Sequence, residues 1–130
     1  VVDYAVRGYS GSGRQINREM KSMGIHHALP GEVLNIHTLN EQLPKQTTFA
    51  LVKSENMEVI RMFLPEGKII PDHSVPGEIT VQCVSGKLDF YVEGEKRPLG
   101  PGDWLHLAGG QKHSLNALSE CVVLVTILLA

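Results

Sequence analysis

The sequence lacks the features by which charge, cross-links or a bilayer organise a chain. Only two of its 130 residues are cysteines, Cys83 and Cys121. They stand far apart with no Cys-x-x-Cys pair, which excludes a disulfide framework or a zinc knuckle and fits a reducing, cytoplasmic location. Neither occupies a turn or a helix start that would activate its thiol, so a cysteine nucleophile system is not indicated. Positive charge is not in excess: 12 Lys+Arg against 14 Asp+Glu leave a formal net charge of −2. Without a field able to neutralise several phosphates, neither nucleic acid nor an anionic membrane is an expected partner. The longest apolar run, 121–130, falls well short of the roughly 20 residues of a spanning helix. It reads as a buried final strand rather than an anchor or signal peptide. A phosphate loop is also missing, because the glycines at Gly8, Gly11 and Gly13 have no strand before them and no GK[ST] after them.

What is present is 42% hydrophobic and 20% charged, the composition of one ordinary domain with a single core. The chain opens on Val1 rather than Met, which leaves room for residues upstream, a cleaved leader included. Residues 1–14 have the composition of a flexible arm. Ile16, Met20 and Met23 give 15–24 helical spacing, ended by Gly24. The segment 32–43 fits an edge strand or a short helix. From Thr47 the texture becomes β. Strands are expected at 47–53, 58–64, 78–84, 87–92, 104–107 and 122–128, with turns at 54–56, Glu66-Gly67, Glu93-Gly94, Pro101-Gly102 and Gly109-Gly110. Short strands with turn signals every eight to twelve residues or so predict an all-β sandwich or barrel. Residues 1–44 form an extension at its edge and 45–130 form the barrel.

Within 67–116 the positions of glycine and histidine resemble the two motifs of the cupin superfamily, small double-stranded β-helices of jelly-roll type. Gly67, His73 and Gly86 stand in register with G-x5-H-x-H-x3-E-x6-G, and Gly102, Gly110 and His113 with G-x5-P-x-G-x2-H-x3-N. The stretch 87–103 looks like the hairpin between the motifs. The resemblance covers about two thirds of the chain, from Thr47 onward, and its wording is similar to single-domain cupins of unsettled role. It implies a divalent metal held by two histidines and a glutamate of the first motif and a histidine of the second. Here Val75 takes the second histidine position and Ile79 the glutamate position, with Glu78 one residue early. Ala108 replaces the second motif's proline, and Ala117 its asparagine, with Asn116 one early. Two of four ligands remain, His73 and His113.

Counted along one strand, His73, Val75, Ile79, Val81 and Cys83 share a face that lines the barrel, and Glu78 points outward. A bulge at Pro76-Gly77 would reverse that and swing Glu78 inward. Two neutral imidazoles without a carboxylate fall short of the three protein ligands usual at a catalytic metal, and Val75 and Ile79 make the site more apolar. The expected pocket is lined by Met62, Val75, Ile79, Val81, Cys83, Phe90 and Leu105, with His73 and His113 as its polar pair. His106 is kept as a further candidate, although Leu105 and Leu107 as the core pair set it on the opposite face. A small organic molecule is the expected partner, with a histidine available for general acid or base work. The runner-up is a metal-dependent enzyme of dioxygenase or isomerase type holding Zn, Mn, Fe or Ni, and the third reading is a dimerisation module with a filled barrel. Trp104 reads as a packing anchor against the N-terminal segment or a partner chain, His26 and His27 as surface residues. Exposed sheet edges make a homodimer the default expectation.

Overall fold

Apolar alternation at Ile60, Met62 and Leu64 demands a strand with one buried face, and that segment forms the centre of the fold. The computed structural model describes residues 26–42 and 47–129; the helix expected over 15–24 and the glycine-rich arm lie outside them. Strand β1 (Phe49–Lys53) pairs antiparallel with β2 (Met57–Leu64). Ser54 closes the turn between them: its Oγ accepts from Asn56 N–H and Met57 N–H at 3.3 and 3.2 Å, and its own N–H donates to the Met57 carbonyl at 3.0 Å.

The chain then alternates between two sheets. Strands β3 (Ile69–His73), β4 (Ile79–Ser85), β5 (Leu88–Val92), β6 (Glu95–Leu99), β7 (Trp104–Leu107), β8 (His113–Ala117) and β9 (Cys121–Leu128) complete a five-stranded sheet ordered β1-β2-β9-β4-β7 and a four-stranded sheet ordered β3-β8-β5-β6. Both are antiparallel throughout, and crossing from one sheet to the other makes the expected jelly roll. The core lies between them: Ile60, Met62, Leu64, Val81, Cys83, Phe90, Leu115, Val123 and Val125 belong to one buried cluster.

Register sorts the inward side chains into layers, because directly paired residues share a face. In the five-stranded sheet one end carries Glu58, Ile127, Ile79 and Leu107; below them lie Ile60, Val125, Val81 and Leu105, and then Met62, Val123 and Cys83. In the four-stranded sheet the corresponding end carries His73, His113 and Val92, followed by Leu115 and Phe90 and then Ala117, Leu88 and Leu99. The connections from β3 to β4 and from β7 to β8 both pass over the Ile79, Leu107, His73 and His113 end, the mouth of the barrel.

The outer face of the five-stranded sheet is covered rather than extended. Of the two forms open to 32–43, the chain takes the helix: α1 (Ile36–Gln42) starts at Asn35, whose Oδ1 accepts from the N–H groups of His37 and Thr38 at 2.9 and 3.0 Å. Leu39 packs with Phe49 and Leu51, and Leu34, Ile36, Val59 and Leu124 close this second cluster. Buried Arg61 ties helix to sheet, donating to Asn40 Oδ1 at 2.7 Å and to the Thr47 carbonyl. Leu34, Ile36 and Leu39 therefore lie across the outer face of this sheet.

Candidate functional site

The sequence count ran from His73 to Cys83 along one strand. The structure divides that stretch: His73 ends β3 in the four-stranded sheet, and Ile79 opens β4 in the other. Residues 74–78 form the crossing between them. Val75 is buried in the core cluster, and its carbonyl accepts from Gly110 N–H at 2.8 Å. The crossing fits closely, since a Cβ on Gly77 would collide with the Leu128 carbonyl and one on Gly109 with the Pro76 carbonyl. This clamp fixes the register of β4: Glu78 accepts Leu128 N–H through its backbone carbonyl at 3.0 Å, while its side chain turns outward. No bulge brings Glu78 inward.

His73 and His113 are cross-strand partners, and their rings pack with centroids 4.2 Å apart at 59°. Phe90 stacks on the far side of His113 at 5.7 Å and 11°. Each imidazole is oriented by its own strand: His73 Nδ1–H donates to the Pro71 carbonyl and His113 Nδ1–H to the Gln111 carbonyl, both at 2.9 Å. Those bonds select the tautomer in which Nε2 carries the lone pair. His113 is only 2% exposed, and His73 Nε2 is sealed from solvent. Burial holds the His113 pKa below the ordinary imidazole value and the neighbouring His73 adds to that, against the opposing pull of the Gln111 carbonyl and Asp72.

The donor set does not fit a resident metal. Both histidines present the right tautomer, with a carbonyl on the other nitrogen as metal ligands commonly have. The two positions that would complete the set hold the buried apolar side chains of Val75 and Ile79. Among the described residues no three His, Cys, Asp or Glu side chains converge, whereas a catalytic divalent ion ordinarily takes three protein ligands and an open position.

Of the other expected pocket residues, Val75 and Ile79 lie at the mouth, while Phe90, Val81 and half-buried Leu105 stand one layer down. Met62 and Cys83 sit a further layer down, away from the histidines. Burial, with Cys121 and Asp103 nearby, pushes the Cys83 thiol up to about 11, and its Sγ–H donates toward the Ser85 and Gly86 carbonyls at 3.5 and 3.4 Å. It is a core residue at the other end. His106 is not in the pocket: it pairs with Thr80 on the outward face of β7, is exposed, and donates through Nε2 to Glu78 Oε1 at 2.8 Å. Trp104 is 59% exposed on the same strand among the described residues. His26 and His27 are at the surface as expected, His26 against Glu32 and His27 stacked on Phe49.

Sequence reasoning missed Glu58. It is 4% exposed and shares the inward face of Ile60, Met62 and Leu64, in the same layer as Ile79. The parity that marked those three residues as core applies equally to position 58.

A family model described as a cupin domain matches residues 60–127. An uncharacterized protein of Aquifex aeolicus is 30% identical over 77 residues, spanning 59% of this chain and 63% of that protein. Among solved structures, a cupin superfamily protein from Desulfitobacterium hafniense superposes with a TM-score of 0.68 at 17% identity, covering 81% of this chain and 97% of its own. A conserved protein of unknown function from Streptococcus pyogenes does so with a TM-score of 0.66 at 20% identity, covering 81% and 93%. With the two-sheet topology, the motif glycines and the family match in agreement, the chain belongs to the cupin domain family.

Proposed function

We propose that this cupin binds a small organic molecule at the mouth of its barrel, with His73 and His113 as the polar groups that orient it and without a resident metal. The observation that carries this reading is the pair itself: two imidazoles 4.2 Å apart, each locked by a backbone carbonyl into the tautomer that presents Nε2 as an acceptor. Apolar walls from Val75, Ile79 and Phe90 surround the pair, and a few convergent polar groups in an apolar cup are the usual composition of a small-molecule site. Inside such a cup an imidazole with a depressed pKa is neutral at pH 7 and available to accept a proton from a bound hydroxyl or amine.

A thermal-shift screen of a metabolite library tests this. Compounds that occupy the mouth raise the melting temperature of the wild-type chain. The expected result is that His73→Gln and His113→Gln lose that increase while still unfolding cooperatively; hits unaffected by both substitutions would place binding elsewhere. The same reading includes a homodimer, since β1 and β7 end the five-stranded sheet among the described residues and an open edge favours pairing. Light scattering at about twice the chain mass is the expected result.

A further inference from the structure

The mouth holds a carboxylate that the two-histidine reading does not use. Glu58 is 4% exposed, and its Oε2 is buried with no hydrogen-bond partner. Lys53, opposite it on β1, is exposed and leaves that oxygen unsatisfied. A buried carboxylate oxygen without a donor is costly, so a site that keeps one calls for a group to satisfy it. Its place in the fold says where that group comes from. Strand β2 runs away from the mouth and β3 returns to it, so Glu58 at the start of β2 and His73 at the end of β3 stand at the same end, on the inward faces of opposite sheets. Ile127 and Ile79 continue the Glu58 layer with apolar surface.

Charge narrows the occupant. The buried inward positions of the mouth, Glu58, Ile127, Ile79, Leu107, His113 and Val92, include no lysine or arginine; Lys53, paired with Glu58 on edge strand β1, shares its face but stands in solvent, and buried Arg61 faces the opposite way, toward Asn40 and Thr47. None of the buried groups would neutralise a carboxylate or phosphate on a ligand, whereas a protonated amine would bring donors and an opposite charge to Glu58. The geometry points to Glu58 as the residue that selects the ligand's charge: the mouth takes small organic amines in their ammonium form, N–H groups donating to the Glu58 carboxylate and the carbon chain lying along Ile79 and Ile127. This inference rests on the mouth being the binding site proposed above.

Calorimetric titration with n-butylammonium, n-butanol and butyrate probes one apolar length at three charges. Wild-type protein is expected to bind n-butylammonium most tightly and butyrate least. Glu58→Gln, which keeps the shape, is expected to weaken n-butylammonium by roughly thirtyfold or more, the usual cost of removing one partner of a buried charge pair. It is expected to unfold at the same temperature as wild type or higher, since it removes a buried oxygen that has no donor in the free protein. Glu58→Leu provides a second variant in which the carboxylate is replaced by apolar volume, and it is expected to lose n-butylammonium equally. Equal affinity of butyrate and n-butylammonium, or unchanged n-butylammonium affinity in both variants, would overturn the selection by charge. If library compounds still bind through His73 and His113 in that event, the site stands and only its ligand class is wrong; if nothing binds through the histidines, both readings fail.

Discussion

His106 and Glu78 meet at 2.8 Å on the outside of the five-stranded sheet, side chain to side chain across the β4 and β7 pairing. The carboxylate nearest in sequence to a metal-completing position is thereby engaged away from the barrel interior. Both side chains are about half exposed, so solvent screens the pair and its contribution to folding is small. Glu78→Ala and His106→Ala are each expected to change stability by under about 1 kcal/mol, measured by urea denaturation, and to leave ligand binding at the mouth unaltered.

Metal binding should return when the missing positions are rebuilt. Val75→His combined with Ile79→Glu restores an imidazole and a carboxylate beside His73 and His113. Each replaces a buried apolar side chain, so without metal the double variant is expected to melt well below wild type. Added Mn or Ni ions are expected to recover much of that loss in the double variant and none in wild type. Melting curves with and without each ion check it.

Much of this architecture was legible in the chain, and its omissions have physical causes. The 60, 62, 64 alternation located β2, and the turn at Glu93-Gly94 located the end of β5. Strand β6, EKRPL, was legible only as part of the hairpin that 87–103 resembles, because four of its five residues are exposed, leaving no apolar period. Strand β3 carries Pro71 and is an edge of its sheet, and β8, HSLNA, buries a histidine and an alanine where the pattern seeks large apolar groups. Outward placement of Glu78 followed from parity, although the assumed single strand was two strands joined by a crossing. Glu58 was overlooked for the reason that makes it informative: a carboxylate at a core position violates the expectation that inward residues are apolar.

The tight crossing over the mouth gives a backbone test. Gly109→Ala forces a Cβ into the Pro76 carbonyl, whereas Gly94, with φ of 80°, has nothing within 4 Å of an added Cβ. Gly94→Ala is expected to cost about 1 kcal/mol from its left-handed conformation alone. Gly109→Ala is expected to cost at least about 2 kcal/mol, because backbone must move. Denaturation midpoints separate the two.

Acid should destabilise the fold through His113. Its folded-state pKa lies below the ordinary 6.5, chiefly through burial, so between the two values the unfolded chain binds more protons than the folded one. Stability attributable to this group is therefore complete above pH 6.5 and declines as pH falls below it, levelling off once pH passes the folded-state value. His113→Gln is expected to flatten that part of the stability profile, measured by denaturation at intervals from pH 8 to pH 4.

Elemental analysis of protein purified without a nickel column addresses the central claim most directly. An oriented histidine pair with Val75 and Ile79 beside it predicts far less than one transition-metal ion per chain, unchanged by His73→Gln or His113→Gln. About one Zn, Mn, Fe or Ni per chain, lost when either histidine is replaced, would contradict the account.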